Sequence, residues 1–164
     1  MTDAELLTDR ARPAVRLERV LSDPPSVVWR ALTEREQLRS WFPCDVILSG
    51  GGWEIGAAIT FPFLNVIHLT LSGEVLEVDE PHALAFTWGE DTLRFELSPE
   101  GDGTRLVLID ELPPDSAARN AAGWEQCLDR LAGAEPAADG WQPRFERYAT
   151  AFTPTLGKQK GRPA

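Results

Sequence analysis

Asp110 interrupts an otherwise regular pattern. In residues 104–112 (TRLVLIDEL), Leu106, Leu108, Asp110 and Leu112 share one face of a strand. A carboxylate closed over by an apolar layer holds its proton above the ordinary range unless donors meet it. Such a group can bind a ligand hydroxyl or amine, or act as a base. Two plainer fates are open to it: capping the next helix near Pro113 and Asp115, or reaching solvent at the strand end. Asp110 is therefore a weak catalytic candidate, and no other residue is expected to be catalytic. A two-carboxylate acid–base site would need a partner for it. Glu54 or Glu77 could supply it, though nothing in the sequence places either within reach.

Other chemistry finds little support. His68 alternates with Thr70, Ser72 and Glu74 on a polar face, and His82 follows Pro81 in a turn. Cys44 and Cys127 form no CxxC or Cys/His spacing, so neither a metal site nor a cofactor is expected. Cys127 reads as a small buried hydrophobe on a helix, and Cys44, after Pro43, as the more exposed thiol. Residues 49–52 (SGGG) lack the context of a phosphate loop and read as a hairpin turn. There is no GxSxG.

The elements that must position these residues follow from periodicity. Residues 14–21 (AVRLERVL) alternate as a strand with one wet face. Ser22 or Asp23 can cap a short helix running to about Thr33, and a second short helix covers residues 34–41. Strands are expected over residues 45–48, 53–61, 68–78, 83–88, 92–97 and 104–112. Their short, turn-rich separators require antiparallel neighbours. A long helix with a broad apolar stripe opens after residues 113–115 and is interrupted at 133–140. It resumes as a turn or two over 141–152. Residues 1–13 and 153–164 read as an N-terminal tail and a flexible C-terminal tail around one domain, 14–152.

Length and charge set outer limits. The 164 residues are about one domain's worth, with 26 acidic against 16 basic side chains and a net charge of −10. That balance argues against nucleic acid and anionic membrane surfaces as partners. Residues 55–73 carry no Asp, Glu, Lys or Arg, yet they alternate too much for a spanning helix. The N-terminus has no apolar signal segment. The expectation is a soluble, reduced, cytoplasmic protein without membrane insertion, as a monomer or a homodimer.

The order of elements, with residues 25–33 (PSVVWRALT), 38–42 (LRSWF), 73–81 (GEVLEVDEP), 84–88, 103–106 (GTRL) and 121–131 (AAGWEQCLDRL), resembles the START-like (SRPBCC, Bet v 1-like) superfamily. More narrowly, it resembles the bacterial branch of the activator of Hsp90 ATPase homologue 1-like family. The resemblance spans about residues 14–152. It implies an α+β helix-grip fold: a curved antiparallel sheet of six or seven strands wrapped around a long C-terminal helix, with two short helices after the first strand. It also implies a cavity between sheet and helix and places the Asp110 face inward.

Alternation maps that cavity. Leu84, Phe86 and Trp88 share a face, as do Leu93, Phe95 and Leu97, while Thr92, Arg94 and Glu96 face water. Trp124 and Leu128, one helical turn apart, look down on the sheet. Trp41 and Phe42 sit at the mouth, with Trp53, Phe61 and Phe63 on neighbouring strands. With Leu108 and Asp110 these are the expected ligand-binding residues, the alternative being that the aromatics simply fill the core. Three functions follow from the resemblance. One is binding of a small hydrophobic or amphipathic molecule, and another a stress-related co-chaperone or interaction role on an Hsp90-type ATPase. The third is a polyketide cyclase or dehydratase-like enzyme using Asp110.

Overall fold

Residues 3–64, 68–134 and 140–161 are described by the structure, a computed structural model. The alternating run AVRLERVL forms strand β2 (Ala14–Leu21), whose inward residues Val15 and Leu17 are fully buried. Pro24 and Pro25 end the strand and start helix α1 (Pro25–Thr33), followed by the single turn α2 (Arg35–Leu38). Neither Ser22 nor Asp23 caps α1 as expected. The Pro24 carbonyl accepts from Val27 and Val28, and that of Asp23 accepts the Thr104 hydroxyl instead.

Six strands then run as a meander: β3 (Ile47–Leu48), β4 (Ala58–Pro62), β5 (Thr70–Asp79), β6 (Ala83–Trp88), β7 (Asp91–Glu100) and β8 (Gly103–Glu111). β8 returns to pair with β2, closing an antiparallel order β1-β2-β8-β7-β6-β5-β4-β3. The sheet has eight strands rather than six or seven, because short strands line both edges. One of them, β1 (Glu5–Leu7), lies in the segment expected to be a tail. It pairs with β2, sets Leu6 against the core and covers an edge that would otherwise be open. The two short helices consequently follow the second strand, not the first.

Helix α3 (Ala117–Leu131) lies over the sheet, and its small residues Ala117, Ala118, Ala121 and Ala122 let it pack close. The last helix corrects the sequence reading most. Instead of a turn or two, α4 (Trp141–Leu156) has 16 residues and packs along α3. A buried ionic cluster joins them. Arg144 reaches Asp129 at 3.1 Å and Glu125 at 3.6 Å, and Tyr148 donates to Glu125 while accepting the Ala4 N–H at 2.8 Å. The expected flexible C-terminal tail is also held. Gln159 Oε1 accepts the Ala118 N–H at 2.9 Å, meeting one of the free amides at the α3 N-terminus.

Between sheet and α3, aromatic rings pack against one another. Phe61 and Phe95 stack on either side of Phe86, at 5.8 and 6.1 Å, and Trp41 meets Phe95 edge-on. Gly73 is required where β5 turns from β4 toward β6, since a Cβ there would lie 1.9 Å from the Thr87 carbonyl oxygen. Gly73→Ala is expected to cost about 3 kcal/mol or more in urea unfolding. Gly50→Ala, with open space around it, serves as the control and should leave the midpoint in place. Equal midpoints for the two variants would contradict this packing.

Candidate functional site

Most of the expected lining is core. Trp41, Phe42, Phe61, Phe86, Phe95, Leu108 and Leu128 are all buried in the packed interior. Trp41 and Phe42, expected at a mouth, are buried against Phe95, Phe61 and Phe86. Trp53 packs on Phe86 at the edge of this cluster, with ring centroids 5.4 Å apart, and its indole N–H donates to the Thr33 carbonyl at 2.8 Å. Trp41 and Trp53 each border another pocket, while Phe63, Trp88 and Trp124 together line a third open space.

That space is a groove of about 670 Å³ on the flank of the helix–sheet sandwich. Phe63, Leu71 and Trp88 form its sheet wall, and the β6–β7 hairpin through Asp91 forms one end. Its helix wall is a stripe of α3 that includes Arg119, Asn120, Gly123 and Cys127, at three- and four-residue spacing. Trp141 and Lys160, positioned by α4 and the segment after it, complete the rim. Mid-helix glycine costs up to about 1 kcal/mol relative to alanine. Gly123 has no atom within 4 Å of where a Cβ would stand. No packing demand explains this glycine; it leaves the groove deeper against the helix backbone.

Asp110 neither caps a helix nor reaches solvent. It is 0% exposed, and its Oδ2 accepts from Trp124 Nε1 at 2.8 Å and Asn120 Nδ2 at 3.2 Å. Its partner carboxylate is Asp91, not Glu54 or Glu77. Glu77 is held on the other side of the sheet by Arg94 at 2.8 Å, and Glu54 is exposed. Asn120 uses its second amide hydrogen on Asp91 Oδ2, at 2.9 Å. The register explains the pairing: Leu93 lies opposite Asp110, and Asp91 is two residues before Leu93 on the same face.

Burial raises the pKa of Asp110 well above the usual carboxylate range, and the neighbouring Asp91 charge raises it further; Trp124 and Asn120 oppose the rise. Burial also raises Asp91, offset by its hydrogen bond with Asp110 and by the Arg12 and Arg119 charges. Asp110 Oδ1 accepts no hydrogen bond from any described donor. A proton kept on Asp110 and shared with Asp91 satisfies both groups. Both thiols are buried. Burial pushes Cys44, expected to be exposed, to about 12 and Cys127 to about 11, so neither is a ready nucleophile. Among the described residues, no three His, Cys, Asp or Glu side chains gather as a metal site. No helix among them is long and apolar enough to cross a membrane.

Asp91, Arg119, Asn120 and Gly123 were not among the expected site residues. Extending the Leu93, Phe95, Leu97 alternation two positions back would have placed Asp91 on the inner face. The hairpin turn is only Gly89 and Glu90, one residue shorter than its sequence suggests.

Residues 22–134 match the family model described as Activator of Hsp90 ATPase homolog 1-like protein. Similar solved structures include CalU16 from Micromonospora echinospora, 19% identical with a TM-score of 0.70, covering 94% of both chains. EF2215 from Enterococcus faecalis, a conserved protein of unknown function, is 22% identical with a TM-score of 0.73 over 93% of this chain and 91% of its own. DynU16, from the dynemicin biosynthetic locus, is 26% identical with a TM-score of 0.62, over 73% of this chain and 46% of its own. Compared with curated protein sequences, the chain matches none.

The raised Asp110 pKa has a definite sign. The folded chain binds this proton more tightly than the unfolded chain, where the group titrates near about 4. The stabilisation is therefore complete below that value and is lost as pH rises through the folded pKa. Asp110→Asn keeps an acceptor for Trp124 and Asn120 and offers Asp91 a permanent N–H. Its urea midpoint should match or exceed the wild type at pH 8, whereas Asp110→Ala should lose about 2–3 kcal/mol. An asparagine variant as unstable as the alanine variant at that pH would contradict the shared proton.

Proposed function

The chain belongs to the Activator of Hsp90 ATPase homolog 1-like family, and we propose that it binds a small, flat, amphipathic molecule in the groove along α3. The observation that carries this reading is Gly123, a stability-reducing residue in mid-helix with nothing beside it but the groove. Trp88 and Trp124 supply rigid aromatic walls, and the Asp91–Asn120 end supplies a small number of fixed polar groups, the usual composition of a ligand site. The filled interior moves the ligand from beneath the helix to its flank. The likeness to DynU16, a protein of a biosynthetic locus, supports a small organic ligand.

The cyclase-like alternative changes its residue. Asp110 is sealed under α3, so any acid–base contact with a ligand falls to Asp91, with Asp110 as the positioning group behind it. A soluble carrier or receptor acting in the cytoplasm, as monomer or homodimer, is the form proposed for the protein. No described surface feature singles out an Hsp90-type partner.

Gly123→Leu fills the groove from the helix side without displacing any atom within reach of its Cβ. It should keep or raise the melting temperature, because leucine is the better helix former by nearly 1 kcal/mol. Native mass spectrometry of the wild type as purified should show a bound compound of a few hundred daltons, on the scale a pocket of this size encloses, that the variant lacks. A compound retained at equal occupancy by a folded Gly123→Leu chain would place the site elsewhere.

A further inference from the structure

Resting on the groove as the ligand site, we infer that its hairpin end selects a neutral hydroxyl group, which donates to Asp91 and accepts from Arg119. The ligand class is then a flat apolar alcohol or phenol, rather than an amine, an acid or a plain hydrocarbon.

Three observations carry this. Asp91 lines the groove while only 7% exposed, and its carboxylate has about four acceptor sites. Asn120 fills one and the proton shared with Asp110 a second. No other described residue donates to Asp91, which borders the groove. Arg119 stands on the facing helix wall, and among the described residues it donates no hydrogen bond and forms no ion pair. It is near enough for its charge to act on Asp91, yet no nitrogen–oxygen pair between them closes to 4.0 Å. A hydroxyl oxygen placed between them would form one bond of about 2.8 Å to each side.

Charge decides against the other classes. The Asp91 carboxylate is flanked by two guanidinium charges, Arg119 on α3 and Arg12, which also donates to the Glu90 carbonyl at 2.8 Å. A ligand ammonium would have to displace that compensation. A ligand carboxylate would meet Asp91 directly, with Glu90 on the same lip. A hydroxyl is both donor and acceptor and disturbs neither. A hydrocarbon leaves both groups unpaired in a half-enclosed site, a loss that selects strongly for the hydroxylated molecule.

The test compares 2-naphthol, naphthalene, 2-naphthoate and 2-(aminomethyl)naphthalene by equilibrium dialysis at pH 7 against the full chain. 2-Naphthol is expected to bind at least about tenfold more tightly than each of the others. In Arg119→Gln and in Asp91→Asn the preference should shrink to within about threefold, with naphthalene affinity unchanged. Arg119 is half-exposed and outside the core, so its variant reports on binding even where the Asp91 variant folds poorly. Equal affinity for 2-naphthol and naphthalene, or tightest binding of the amine or the acid, overturns the hydroxyl assignment and leaves the groove standing. Binding of none of the four, or binding indifferent to Gly123→Leu, overturns the groove and the assignment with it.

Discussion

A fully buried carboxyl group fixes how α3 lies on the sheet. Asp110 sits on the inner face of β8 with no access to water, so its oxygens must be met by protein donors. The donors are Trp124 and Asn120, about one turn apart on the facing helix. Rotating or sliding α3 by one residue would break both bonds and leave a buried polar group unpaired, a cost on the order of 1–3 kcal/mol. Apolar packing alone tolerates many small rotations; this pair of bonds admits one. At that rotation Gly123 and Arg119 line the groove, while Asn120 bridges Asp110 beneath the helix and Asp91 at the groove's end.

The same contact divides the molecule into a closed interior and an open flank. Beneath α3 the rings of Phe42, Phe61, Phe86, Phe95 and Trp41 fill the sandwich. Beside it, the groove is bounded by Trp88 and Trp124, whose rings lie 5.4 Å apart. α4 bounds the far rim with Trp141, and that helix is held by ionic bonds as well as by an apolar face: Arg144 is buried with Asp129 and Glu125, and Trp141, Tyr148 and Phe152 are buried in the core. Breaking one partner of such a cluster is costly because the other charge stays buried. The rim is therefore a fixed part of the architecture.

Much of this was legible in the sequence. The strand alternation of Leu84, Phe86, Leu93 and Phe95 gave the inner face, and the family motifs gave the order of elements. Asp110 was readable as the one polar residue on an apolar face. What escaped depends on long-range geometry. Whether a ring fills a core or walls a pocket is decided by neighbours far along the chain, so Trp88 and Phe86, two residues apart, could not be told apart. The Asp91 partnership needed the register of β7 on β8, which a one-residue difference in hairpin length sets. The long α4 was hidden by Pro143 and Pro154. The first falls in the opening turn, where proline is tolerated, and the second in the last turn, where the helix is ending.

The central claim is that a ligand occupies the flank and leaves the interior closed. The six tryptophans divide between the two: Trp88, Trp124 and Trp141 border the groove, and Trp29, Trp41 and Trp53 do not. Tryptophan indole N–H resonances of 15N-labelled protein, assigned by single substitution and followed during titration with 2-naphthol, test this directly. The account predicts shifts at the three groove tryptophans with the other three unmoved. Large shifts at Trp41 and Trp29, with the groove set unchanged, would mean that the ligand opens the packed interior, and would contradict it.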